Sequence, residues 1–446
     1  MDKTKTIAVV AVAIIVVAAA AVVLMNRSDG GSDVAIESEL LVFGNANGDY
    51  TVNQADLDII NEILKEEDQS KRDAKLSENP LADANNDGHV DQDDADLVKK
   101  IINDEPCTVY HYNASNVENY VVSTAWPVKS AIATASANQC WLMTMAGITD
   151  MVHGISYSMS SAPDPTLFPE FSKMGSIGGS STKLPVDKAS TYISQYGVTA
   201  VITDKTESTV DKKTVEPQYE KMGVDVIRVG AASVDVTEYC QQLFLIGFLF
   251  QTEEQCEDIA KWWLSMQAEI DSKTANVEKK SAITCNGSIS KDRIWVSAGT
   301  SDYVDVITHA GGEYALDDKV LTDYTSGAYF SKSDTWLYNY DFDYIINIKT
   351  NDWYSGAVDD TAKYEECLSI FDQTKAYQNK NAYVITGDAP IPIRVAYAAA
   401  VMYPDLFTEE WADEKNQEFM DKFTDVKIDV SSLHFIISYD TAYPKA

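Results

Sequence analysis

Residues 45–64 (NANGDYTVNQADLDIINEIL) recur without a gap as residues 83–102 (DANNDGHVDQDDADLVKKII), at an offset of 38. In each copy oxygen-bearing side chains stand at loop positions 1, 3, 5, 9 and 12, a valine stands at position 8, and an amphipathic helix follows. Calcium takes six or seven oxygens at roughly 2.3–2.6 Å, and a twelve-residue loop with this spacing wraps them around the ion. The first loop would supply Asn45, Asn47, Asp49, the Thr51 carbonyl, Asn53 and Asp56. The second would supply Asp83, Asn85, Asp87, the His89 carbonyl, Asp91 and Asp94. The second loop has four carboxylates, and Gly88 at position 6 where the turn asks for positive φ. The first has two carboxylates and Tyr50 at that place, a strain on the order of 1 kcal/mol if the same turn forms. Two calcium sites are expected, the second tighter.

This repeat accounts for an uneven acidity. The 446 residues carry 35 Lys and Arg against 69 Asp and Glu, a net charge of −34, and residues 29–106 alone hold −15 of it. So acidic a surface repels a polyanion and excludes nucleic-acid binding. The length allows two or three domains. Ahead of the repeat, residues 7–25 form an uncharged apolar run preceded by Lys3 and Lys5. About 19 residues at 1.5 Å rise approach the ~30 Å of a bilayer core, and the flanking lysines favour the amino end inside. Residues 1–28 are therefore read as a membrane anchor or signal segment. The chain is placed at the cell membrane on its extracytoplasmic face, held by a single amino-terminal transmembrane helix. Six cysteines (Cys107, Cys140, Cys240, Cys256, Cys285, Cys367) show no metal-binding spacing, and their pairing is left open.

Both loops end in Asp rather than the bidentate Glu of an ordinary EF-hand. This loop–helix duplication resembles type I dockerin, the small module that docks onto cohesin domains, over about residues 40–104. The resemblance implies a cohesin partner for the module at 38–106, chosen in part by loop positions 10 and 11, here Gln54-Ala55 and Gln92-Asp93. A module this small has little core, so calcium would supply much of its folding free energy.

From about residue 117, short β-branched runs alternate with helical patterns, the signature of an α/β fold with parallel sheets. Strands are expected near 120–124, 151–156, 198–203, 224–229, 293–298, 343–348 and 381–386, with a helix around 128–146. Residues 235–279 read as helical almost without interruption. The expected architecture is a bilobed molecule with lobes at 117–234 and 281–446, joined by a helical connector at 235–280. In open α/β sheets ligands sit beyond the carboxyl ends of the strands. That places Trp126, Tyr157 and Trp353 as aromatic ligand contacts, joined by Tyr329 from the aromatic-rich stretch 324–354, with Arg394 able to meet a carboxylate or phosphate.

The order of these elements meets a second family. Ser176-Ile-Gly-Gly-Ser180, the stretch Glu220 to Ile227, Val304 to Glu313 ending His-Ala-Gly-Gly-Glu, Phe342-Asp-Tyr-Ile-Ile346, and Lys380 to Ile385 followed by Arg394 and Tyr403-Pro-Asp-Leu-Phe407 resemble the binding proteins of iron-chelate and cobalamin ABC importers. The resemblance spans about 117–424. It implies a periplasmic-binding-protein fold with two lobes bridged by one long helix. It also implies an iron chelate, cobalamin or other tetrapyrrole as ligand and an ABC permease as partner, docked through Asp187 and Asp334. No nucleophile elbow, P-loop or metal-hydrolase cluster is present, and the chain is not read as an enzyme. The alternative is a cell-surface assembly protein that docks a cohesin and whose large domain does not serve transport.

Overall fold

The computed structural model describes residues 35–157, 162–180, 183–285, 294–297, 301–316, 329–332, 334–350 and 352–444. The apolar run at 7–25 lies outside these residues. Among the described residues no helix is long and apolar enough to cross a membrane.

Each loop–helix repeat closes with the same device. In α1 (Gln54–Lys65) Asn53 and Asp56 form a reciprocal capping box, and in α3 (Gln92–Ile102) Asp91 and Asp94 do so. Two orphan amides are satisfied at each helix start. Helix α1 buries Leu57, Ile60 and Ile63, and α3 buries Ala95, Val98 and Ile101. The spacing of these residues puts them on one helical face. Between the repeats, α2 (Gln69–Glu78) buries none of its residues, and Arg72 Nη2 donates to the Val90 carbonyl at 2.6 Å. The shared core is small: Ala46, Leu57, Ile60, Ile63, Ala82, Ala84, Val90, Ala95 and Val98.

This module is continuous with the body that follows. Residues 41–43 pair with β1 (Cys107–Asn113), through a Val42–His111 bridge and the Phe43 amide on the Tyr110 carbonyl at 2.9 Å. Strand β1 forms an antiparallel ribbon with β2 (Tyr120–Trp126). The first lobe's sheet is parallel throughout, in the order β4 (Val152–Ser156), β3 (Ala131–Thr134), β5 (Ala200–Asp204), β6 (Asp225–Val229). Strand β3 corrects the reading of 128–146 as one helix: Ala-Ile-Ala-Thr is a fully buried strand, and α4 (Ala137–Met145) starts only after Ser136 caps it. Successive residues serve opposite faces. Ile132 and Val201 pack with α5 (Val186–Tyr196), and Ala131, Ala133 and Ile202 join the main core.

The connector differs from the rod expected. It is two helices, α6 (Val236–Phe250) and α7 (Glu253–Thr274), broken at Gln251, whose φ is +59°. They fold back on each other. The Tyr239 and Trp263 rings lie 4.9 Å apart, and a Cβ on Gly247 would come within 2.7 Å of Cys256 Sγ. Helix α6 belongs to the first lobe, where the Val128 amide donates to the Leu249 carbonyl at 2.8 Å. Helix α7 alone makes the crossing, about 33 Å for 22 residues at 1.5 Å each. Gln255 near its start donates to the Met145 carbonyl at 2.9 Å, and Gln267 donates to the His309 carbonyl at 2.8 Å in the second lobe.

The second lobe contains β7 (Ser281–Ile283), β8 (Ile294–Ser297), α8 (Asp302–His309), β9 (Glu313–Tyr314), β10 (Tyr329–Lys332), β11 (Tyr344–Lys349), β12 (Ala382–Thr386), α9 (Ile391–Met402), α10 (Glu409–Phe423) and β13 (Ile436–Ile437). Its five-stranded sheet runs β13-β12-β11-β7-β9, with β13 antiparallel to β12 and the other pairs parallel. Strands β8 and β10 make a separate antiparallel ribbon. Every residue of α9 is buried. A helix this apolar, with Arg394 its one charged residue, belongs in a core.

Candidate functional site

Two regions are candidates, the loop pair expected to hold calcium and the junction of the lobes. In the first loop Asn45 is fully buried. Its Nδ2 donates to the Leu40 and Asp49 carbonyls at 2.8 and 2.7 Å, while its Oδ1 is a buried acceptor without a partner. A desolvated oxygen costs stability unless something meets it, and a hard cation is the partner its position 1 place suggests. Asp56, at position 12, accepts from the Asn47 and Asn53 amides at 3.0 and 2.7 Å. Asp49 Oδ1 accepts from the Thr51 amide at 2.7 Å. In the second loop Asp94 accepts likewise from Asn85 and Asp91, Asp83 accepts from the Asp87 and Gly88 amides, and Asp87 accepts from the His89 amide. Burial holds the Asp56 and Asp94 carboxyls above their ordinary range. The residues present fit calcium: every donor is oxygen. Among the described residues no three His, Cys, Asp or Glu side chains are grouped to hold a metal ion, the four carboxylates of the second loop included.

The backbone of the two loops differs where the sequence suggested strain. Asn86 and Gly88 take φ of +54° and +94°, whereas the first loop has only Gly48, at +69°. Tyr50 is outside the left-handed region, so the turn that would have strained it does not form.

At the lobe junction the connections leaving the carboxyl ends of β3 and β12 meet. Trp141 of α4 donates its indole N–H to the Asp388 carbonyl at 2.8 Å and packs edge-on to Phe419. Arg394 is 3% exposed. Its Nε donates to the Ala389 carbonyl at 2.7 Å, its Nη2 to Asn138 Oδ1 at 3.0 Å, and its Nη1 lies 3.6 Å from Asp302. The guanidinium expected to meet a ligand is thus committed to linking the lobes. Burial, with Asp302, Glu238 and Asp235 nearby and Lys205 opposing, pushes the Asp305 carboxyl up to about 6. This charged cluster comes from separate segments, and no local motif announces it.

Two further expectations are corrected. Trp126 is buried, stacked on Phe248 at 5.6 Å with its N–H on the Phe248 carbonyl. Trp353 is buried with its N–H on the Lys349 carbonyl. Both are core residues. Tyr157 is half-buried, its hydroxyl donating to the Met174 carbonyl at 3.1 Å. The Tyr329 side chain lies outside the described residues. A groove of about 500 Å³, lined by Asp150, Phe168, Glu254, Asp258, Lys422 and Phe423 among others, opens between both lobes and α7. It lies at the start of β4 rather than at a strand's carboxyl end, and it too was invisible in the sequence.

No protein-family description matches the chain, and no curated protein does. Solved structures do. A TroA-like periplasmic binding protein, FepB, from Veillonella parvula superposes with a TM-score of 0.55 at 15% identity, over 73% of this chain and 99% of its own. The chain has the TroA-like binding-protein fold. A periplasmic solute-binding protein from Veillonella parvula gives 0.53 at 16% identity, over 72% and 95%. The nickel-bound CeuE of Helicobacter pylori gives 0.50 at 14% identity, over 71% and 96%. Both Veillonella parvula structures are periplasmic binding proteins. Within this fold Asp187 is exposed in the first turn of α5. Asp334 opens a short helix, its side chain outside the described residues.

Proposed function

We propose that the chain is a membrane-anchored, extracytoplasmic solute-binding protein. It captures an iron chelate, cobalamin or another tetrapyrrole for an ABC permease and carries a calcium-stabilised, dockerin-like loop pair. The observation that supports it is the meeting of two α/β lobes at the carboxyl-end connections of their sheets, spanned by α7. Residues 7–25 would anchor it, and Asp187 and Asp334 would face the permease. Because Arg394 is spent between the lobes and carboxylates gather around Asp305, neutral or cationic members of this ligand class are favoured over anionic ones. The loop pair would hold two calcium ions, with the second loop tighter.

A second reading has its own support. Gln54, Ala55, Gln92 and Asp93, at loop positions 10 and 11, are all exposed, which leaves that face open to a cohesin. Titration of the full chain with cobalamin, haem and ferric chelates, followed by tryptophan fluorescence, separates the two. Saturable quenching by one of them is expected. No quenching by any, together with capture by a cohesin, would favour assembly over transport.

A further inference from the structure

The first calcium loop is built into the body of the protein. Tyr50 occupies its position 6. In the second loop that position is Gly88, and a Cβ there would meet nothing within 4 Å. Tyr50 instead stacks on Phe244 of α6, with ring centroids 5.1 Å apart and planes at 29°. Its hydroxyl donates to Glu257 Oε1 of α7 at 3.1 Å. One side chain therefore touches both arms of the connector hairpin. The surroundings reinforce it: Ser38 Oγ donates to the Thr237 carbonyl at 3.0 Å, and Gln251, at the break between the arms, donates to Asp104 Oδ1 at 2.8 Å. Leu40, Val42 and Ile101 share one apolar core with Phe244 and Trp263.

We infer that calcium held by the first loop is coupled through Tyr50 to the helical hairpin that joins the lobes, so that the loop pair is a calcium-set brace rather than a freely swinging docking arm. The inference rests on the calcium reading above. Asn45, with its unpartnered buried Oδ1, already ties Leu40 to Asp49 through its amide nitrogen. An ion taken by that oxygen and by Asp49 fixes the backbone immediately before Tyr50, which lowers the entropy lost in seating the ring on Phe244. Coupling of this kind is reciprocal. Calcium steadies α6 and α7, and the seated tyrosine raises the affinity of a loop that has only two carboxylates.

Hydrogen exchange of the full chain, with saturating calcium and with chelator, tests this alongside a count of bound ions by equilibrium dialysis. Calcium is expected to slow exchange of the amides in 237–257 by about fivefold or more. Tyr50→Gly should still bind two ions yet lose most of that protection, Tyr50→Phe should keep most of it, and Asp83→Ala in the second loop should leave it intact. Two bound ions with no calcium effect on 237–257, or an effect that survives in Tyr50→Gly, overturns the coupling. No bound ion at all overturns the calcium reading and the brace with it.

Discussion

Asp305 shows how a single side chain reports on the lobe junction. Its carboxyl is raised from an ordinary 3.8 to about 6 by burial and by the carboxylates around it. The folded state therefore holds a proton that the unfolded state has released between those two values. Stability from this group is present below pH ~4 and lost as pH rises through ~6. Asp305→Asn should stabilise the protein at neutral pH by on the order of 1 kcal/mol, allowing for partial solvent screening, and the gain should vanish below pH ~4. Urea unfolding of both proteins across that range measures it; a gap independent of pH would contradict the assignment. At this scale the sequence misleads in a consistent direction. Trp126 and Trp353 end β-branched runs and look like ligand platforms, yet large aromatic surfaces are also what a core buries most gainfully, and here the core takes them. Arg394 was legible as important, but its partners Asn138 and Asp302 lie 256 and 92 positions away, and no local pattern links them.

Among the elements, the two loop–helix repeats were the most legible, because the place where each helix starts is set by local residues. Asn53 with Asp56, and Asp91 with Asp94, which the sequence offers as calcium ligands, form capping boxes at the starts of α1 and α3 in the structure. Strand β3 was not legible: four buried apolar residues read equally as helix or strand, and only pairing with β4 and β5 decides. The break at Gln251 was missed because its left-handed φ carries no glycine or proline signal. For the loops the expectation is quantitative. An occupied site contributes about 2.7 kcal/mol at a calcium concentration a hundredfold above its Kd. Asp83→Ala should therefore remove more of the calcium-dependent rise in melting temperature than Asn45→Ala. Asn45→Ala also deletes two hydrogen bonds, one of them fully buried, and should lower the melting temperature without calcium. Equal calcium-dependent losses would refute the predicted order of affinities.

For the whole molecule, two α/β halves were readable from alternation alone, while the way they touch was not, because it depends on residues more than 200 positions apart. Small-angle scattering of the full chain should give superimposable curves with and without the ligand that quenches its tryptophans. Trp141→Ala, which removes the indole from the Asp388 carbonyl, should open a measurable difference. A large ligand-induced contraction of the unaltered protein would speak against the arrangement.

A body attached along one line can turn about that line, but a second attachment away from it removes the axis. Helix α7 is the first fastening, and Trp141 with Arg394 is the second. If the proposed binding role holds, a guest seated between halves fixed in this manner would leave only when the second fastening is broken, and the work of unloading would fall to its receiver.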